Sequence, residues 1–95
     1  MIKVFVYGLL VGRYKNAIPA TLEGYCIRHF GHATIVEKNK GIVKGELIEV
    51  PFSEFERIDE IEGFPDYYTR FKVLVETKRG VEAAWVYQMQ RIHWR

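Results

Sequence analysis

The chain has 95 residues, a formal net charge of +2, 48% hydrophobic and 15% aromatic content, and a single cysteine, Cys26. That length holds one domain, residues 1–95, and the apolar content excludes a disordered chain. So small a charge argues against a purely electrostatic grip on nucleic acid, one cysteine excludes an internal disulfide framework and suits a reducing, cytoplasmic compartment, and no stretch approaches the length of a membrane-spanning helix.

Ile2 to Tyr7 is a β-branched and aromatic run, the pattern of a strand buried on both faces. Its extension to Val11 faintly imitates a secretory leader, but the run is short, carries Tyr7 and Gly8 and lacks a cleavage pattern of small residues. Gly8 ends the strand. A strand breaking at a glycine can turn several N–H groups toward one point, an arrangement that attracts carboxylates; the plainer alternative is an ordinary strand-to-loop turn. Gly12, Asn16 and Pro19 mark an irregular connection.

Ala20–Phe30, Ala33–Glu37 and Ile42–Val50 read as short strands, with Lys38-Asn39-Lys40-Gly41 as a hairpin turn. Cys26, His29 and His32 raise the question of zinc. On a strand, however, Cys26 and His29 face opposite sides, and no fourth ligand is evident, so no metal is expected.

Ser53 and Glu56 predict a capping box opening a helix that Gly63 and Pro65 close. On a wheel of about 100° per residue, Phe55, Ile58 and Ile61 form an apolar arc of roughly 120° with Glu62 inside it, while Glu56 and Glu60 face water. A carboxylate aimed at an apolar pocket has its pKa raised, which suits a group that takes and returns a proton near neutral pH. The bland alternatives are a glutamate that snorkels to water or one that pairs with Arg70. Asp59 and Glu62 as a glycosidase pair is rejected, because both lie on one short helix rather than on two sides of a cleft.

Tyr67–Thr77 alternates as a strand, with Tyr68 and Arg70 sharing a face that lines a cleft or is simply solvated. Lys78-Arg79-Gly80 is a second hairpin turn, Val81–Met89 the last strand, and Gln90–Arg95 a polar tail with Trp94. The tally predicts an α+β fold: a small, mostly antiparallel β-barrel of about six strands with one short helix packed beside it.

These segments resemble the gamma-glutamylcyclotransferase-like family. Val4-Phe5-Val6-Tyr7-Gly8-Leu9-Leu10 is similar to its V-x-V-Y-G-[ST]-L strand. Ile58 to Gly63 is similar to its L-D-x-x-E-G stretch, and Tyr68-Thr69-Arg70 to its Y-x-R element. Gly45–Val50 and Ala84–Tyr87 resemble two further strands, so the likeness runs from about Lys3 to Tyr87. The resemblance implies a reaction in which the α-amine of a gamma-glutamyl group attacks its own γ-carbonyl, giving 5-oxoproline and a released amine. It implies Glu62 as acid/base and a substrate cradle from the backbone of Tyr7, Gly8, Leu9 and Leu10. Beside it, Tyr68, Arg70 and Tyr87 are expected to line the cleft. The resemblance implies a small-molecule partner, and the reaction needs no cofactor; the modest charge, with acidic residues spread through strands and helix, argues against nucleic acid, and the lack of a long apolar stretch argues against a membrane span. Leu9 stands where the family carries Ser or Thr, so a hydroxyl contact is absent. Two other readings stand beside this one: a family member that binds without turnover, and a barrel that stacks single-stranded nucleic acid on its tyrosines. Oligomeric state and the amine half of the substrate are left open.

Overall fold

A computed structural model describes residues 1–95 and shows a closed five-stranded barrel with one helix on its outer face. The strands are β1 (Ile2–Val6), β2 (Ile18–His29), β3 (Ala33–Val50), β4 (Tyr68–Thr77) and β5 (Gly80–Met89); the helix α1 (Phe52–Glu62) joins β3 to β4. Around the barrel the order is β1-β3-β2-β4-β5. All pairings are antiparallel except the seam, where β1 meets β5 in parallel at Val4 and Trp85.

The count is five rather than six because Lys38–Gly41 is not a hairpin turn. Ala33–Glu37 and Ile42–Val50 are two ends of one strand of 18 residues, and β2 pairs with both. The register jumps between Glu23↔Ile42 and Tyr25↔Glu37, so the tetrad is an outsized bulge opposite Gly24. Gly24 at φ 88° and Lys40 at φ 63° take up the distortion. A bulge bends and twists its strand; β3 pairs with β2 on both sides of it and with β1 along its other edge over residues 46–50. The true hairpin between β2 and β3 lies at residues 30–32, closed by the Phe30 N–H donating to the His32 carbonyl at 3.0 Å.

The predicted capping box does not form. Pro51 occupies the N-cap position, no side chain caps the helix, and the Pro51 carbonyl accepts from the N–H groups of Glu54 and Phe55, each at 3.0 Å. The hydrophobic run thus enters the helix two residues before the expected start, leaving Ser53 inside the first turn.

Strand alternation splits the apolar side chains into two cores. Phe5, Leu22, Ile35, Val43, Leu47, Val75 and Val86 fill the barrel. Val4, Val6, Ile48, Val50, Tyr87 and Met89 face outward and are covered by Phe55 and Ile58 of α1. The buried first strand therefore serves both cores, which explains its unbroken apolar character. No helix is long and apolar enough to cross a membrane.

Candidate active site

Phe55, Ile58, Asp59 and Glu62 follow the i, i+3, i+4, i+7 spacing that places four residues on one helix face. Phe55 and Ile58 are buried against the barrel, and Glu62, the last helical residue, is half-buried. Ile61, expected in the same arc, sits on the exposed rim instead. The helix stops in a Schellman motif: the Gly63 N–H donates to the Glu60 carbonyl at 3.1 Å and the Phe64 N–H to the Asp59 carbonyl at 2.9 Å. Gly63 takes the left-handed conformation this requires, φ 69°. The chain reverses immediately after Glu62 and feeds into β4.

Asp59 anchors this face to the barrel. It accepts Arg70 Nε on Oδ1 at 2.9 Å and Arg70 Nη2 on Oδ2 at 3.1 Å, and a short hydrogen bond from the Tyr87 hydroxyl. The Arg70 guanidinium also lies over the rings of Phe55, Phe64 and Trp85, 4.6, 4.1 and 4.7 Å from their centroids. Arg70 is therefore engaged by Asp59, not by Glu62, and is not among the residues that line the cavity beside Glu62. The ion pairs of the chain use Glu49, Glu54, Asp59 and Glu82, and Glu62 belongs to none of them.

That cavity, of about 320 Å³, opens where β1 ends. Glu62, Tyr68 and Tyr87 line it, together with the whole turn of Tyr7, Gly8, Leu9 and Leu10. The Gly8 carbonyl accepts the Val11 N–H at 3.1 Å, and Glu46 Oε1 accepts the Gly12 N–H at 2.9 Å, which fixes the turn to β3. The N–H groups of Gly8, Leu9 and Leu10 donate to no acceptor of the protein, so three backbone donors at the cavity wall are unengaged. The Tyr7 hydroxyl donates to the Tyr87 carbonyl at 2.6 Å, and the Tyr68 hydroxyl donates to the Ala33 carbonyl at 2.5 Å. These cross-barrel bonds hold both rings against the site.

Burial raises the Glu62 carboxyl above the ordinary glutamate range, since no compensating charge is supplied. Burial also pushes the phenols of Tyr7, Tyr68 and Tyr87 upward, and the Glu62 charge adds to the shift in each. The phenols thus stay protonated and neutral around one carboxyl that gains and loses its proton more readily than they do. Such a constellation can shuttle a proton at a bound substrate while unengaged backbone N–H groups meet negative charge on it.

Of the residues expected at the site from sequence, Tyr7, Gly8, Leu9, Leu10, Glu62, Tyr68 and Tyr87 lie together, and Arg70 lies apart. The sequence reading missed His32 and Tyr67. His32 Nδ1 and the Tyr67 hydroxyl are 2.9 Å apart, and both residues line the cavity. His32 reaches it from the β2–β3 hairpin, a long-range placement with no local signature. It also missed Asp59 as the anchor, although the i, i+4 spacing from Phe55 pointed to the buried face.

Residues 4–94 match the family model described as gamma-glutamyl cyclotransferase, AIG2-like. A Methanocaldococcus jannaschii protein, provisionally named a gamma-glutamylcyclotransferase, is 37% identical over 75 residues, 78% of this chain and 52% of the relative. The chain thus spans about half the length of that curated relative. The crystal structure of the Pyrococcus horikoshii protein PH0828 superposes with a TM-score of 0.68 at 31% identity, over 94% of this chain and 78% of the other. A solved structure named gamma-glutamyl cyclotransferase shares the fold, with a TM-score of 0.77 at 22% identity over 94% of this chain and 66% of that one.

Proposed function

The chain belongs to the gamma-glutamyl cyclotransferase, AIG2-like family, and from that premise we propose that it cyclises the gamma-glutamyl group of a small amide to 5-oxoproline with release of an amine. The observation that carries this reading is Glu62, an unpaired, half-buried carboxyl beside three unengaged N–H groups in one cavity.

In the proposed reaction the Glu62 carboxylate removes a proton from the substrate's α-ammonium. The freed amine attacks the γ-carbonyl carbon, closing a five-membered ring. Because both reacting groups belong to one molecule, holding it folded removes much of the barrier. Negative charge moves to the carbonyl oxygen, where N–H donors of the Gly8–Leu10 turn stabilise it. The protonated Glu62 then delivers its proton to the amide nitrogen as the C–N bond breaks, and the restored carboxylate takes the second proton from the ring nitrogen and passes it to the released amine, leaving 5-oxoproline, an ammonium product and the Glu62 carboxylate. The raised proton affinity of Glu62 suits both halves of this cycle. Tyr68 and Tyr87 shape the wall; Arg70 acts through Asp59, at a distance from the substrate. The single cysteine, Cys26, is free, consistent with a reaction in the reducing cytoplasm.

A second reading is a binder of gamma-glutamyl compounds that does not turn them over, favoured by Leu9 in place of a hydroxyl residue. A mass-spectrometric screen of gamma-glutamyl amides decides between the two: cyclisation produces 5-oxoproline and free amine, whereas a binder returns every compound intact.

A further inference from the structure

His32 and Tyr67, the cavity residues that the proposed reaction leaves without a role, form a pair held from both sides. The Tyr67 N–H donates to the Gly63 carbonyl at 2.8 Å and its carbonyl accepts the Gln90 N–H at 2.9 Å, while the rings of Tyr68 and His93 lie 5.0 and 4.7 Å from its own. The hairpin that carries His32 is held by Trp94, stacked on Phe30 at 5.8 Å. Across this junction His32 Nδ1 meets the Tyr67 hydroxyl at 2.9 Å. The hydroxyl has no other acceptor in the protein, so its hydrogen belongs to Nδ1, and a neutral His32 then carries its own hydrogen on Nε2. A charged His32 carries one there too. Either way, Nε2–H is a donor with no partner in the protein.

The proposed reaction gives Glu62 to the α-ammonium and the Gly8–Leu10 N–H groups to the carbonyl oxygen. The glutamyl α-carboxylate still needs a donor, because a charge left unpaired in a largely apolar cavity weakens binding. No lysine or arginine lines the cavity. The hydroxyls of Tyr7, Tyr68 and Tyr87 already donate to the Tyr87 carbonyl, the Ala33 carbonyl and Asp59, and position 9 is Leu. His32 is the remaining side chain of the wall with a hydrogen to give, and alone among the lining residues it can also carry a positive charge. We propose that His32 Nε2–H receives the α-carboxylate of the glutamyl group, with Tyr67 as the positioning residue that sets the imidazole tautomer. The assignment rests on the reading of the cavity as a gamma-glutamyl site and names the side chain that grips the acid end.

The test measures dissociation constants on the full chain carrying Glu62→Gln, so that binding is read without turnover. The two ligands are gamma-glutamyl methylamide and N-methyl-4-aminobutanamide, which is the same molecule without its carboxylate. The ratio of their affinities reports what the protein gives to that carboxylate. Adding His32→Leu should cut the ratio by about five- to ten-fold, the worth of one hydrogen bond to a charged group. Adding His32→Gln, whose amide reaches the place of Nε2, should keep most of it. Adding Tyr67→Phe keeps the ring between Tyr68 and His93 but removes the hydroxyl, and should cut the ratio by about two- to five-fold with the thermal midpoint unchanged. A ratio unmoved by His32→Leu overturns the proposal, as does an equal loss for both ligands, which would mean a ring that only shapes the wall. A Gln variant as poor as the Leu variant, or a Tyr67→Phe ratio equal to that of the parent, also overturns it. Turnover by the wild-type chain is scored separately. Cyclisation with a ratio indifferent to His32 removes this assignment and leaves the cyclase reading. A His32-dependent ratio without cyclisation does the reverse, and failure of both ligands to bind removes the gamma-glutamyl reading and this assignment with it.

Discussion

Arg70 holds both carboxylate oxygens of Asp59, at 2.9 and 3.1 Å, one helical turn before Glu62. The clamp engages the Arg70 guanidinium and ties the helix that carries Glu62 to β4. Both side chains are about four-fifths buried, with 20% and 18% exposure, so the pair is partly desolvated and geometrically complete. Arg70→Met should leave Asp59 with Tyr87 as its remaining partner and lower stability by about 1–3 kcal/mol, read as the urea midpoint at constant slope. An unchanged midpoint would mean that the clamp adds nothing beyond the apolar packing of the helix.

Gly8, which lines the cavity, and Gly63, which ends the helix after Glu62, should respond differently to alanine. At Gly63 the backbone is left-handed and a Cβ would lie 3.0 Å from Tyr67 Cβ. Gly63→Ala should cost about 1–2 kcal/mol. At Gly8 the nearest atom to an added Cβ is Ala33 Cβ at 3.8 Å, an ordinary contact, so Gly8→Ala should leave the thermal midpoint nearly unmoved. Equal losses at the two positions would contradict the geometry.

The Glu62 carboxyl should carry a stability signature independent of its proposed part in the reaction. Its folded pKa lies above the unfolded value because burial disfavours the charge. Between those two values the folded chain binds more protons than the unfolded chain, so this group's contribution to stability falls as pH rises through that window. Above the folded pKa the penalty is complete. Glu62→Gln removes it, so the variant should match or exceed wild-type stability at pH 7, and its advantage should shrink as pH falls through that window and vanish below the ordinary glutamate range. Denaturation curves at several pH values check this; a variant less stable at pH 7 than at pH 4, relative to wild type, would contradict it.

Restoring a hydroxyl at position 9 tests the departure at the β1 turn. If the substrate's charged end lies against this turn, Leu9→Thr should lower KM for a short gamma-glutamyl amide by about two- to ten-fold, the worth of one added hydrogen bond. An unchanged KM would place the substrate elsewhere along the wall.

The residues show why some of this was legible in sequence and some was not. Ile2–Val6 and the stop at Gly63 were readable because burial on both faces and a left-handed cap each demand particular residue types locally. Glu62 stood out because its helical phase placed a charge among Phe55 and Ile58. Lys38–Gly41 misled because a four-residue polar bulge and a hairpin turn use the same residues; only the pairing of β2 with both halves of β3 tells them apart. Ser53 and Glu56 matched a capping pattern, but Pro51 already supplied the start of the helix. Arg70 shared a strand face with Tyr68, as alternation required, yet the helix crossing above that face separates them: Tyr68 borders the cavity and Arg70 lies under Phe55 and Phe64. His32 and Tyr67 meet across the barrel mouth, a contact between residues 35 apart that periodicity cannot announce.

The most direct test of the account is the yield of 5-oxoproline from a gamma-glutamyl amide, wild type against Glu62→Gln, with circular dichroism confirming that both are folded. The account predicts a loss of at least about 10²-fold in kcat on substitution, the usual worth of a placed acid/base. Turnover by the Gln variant within a few-fold of wild type would show that Glu62 moves no proton in the reaction, and would contradict the account.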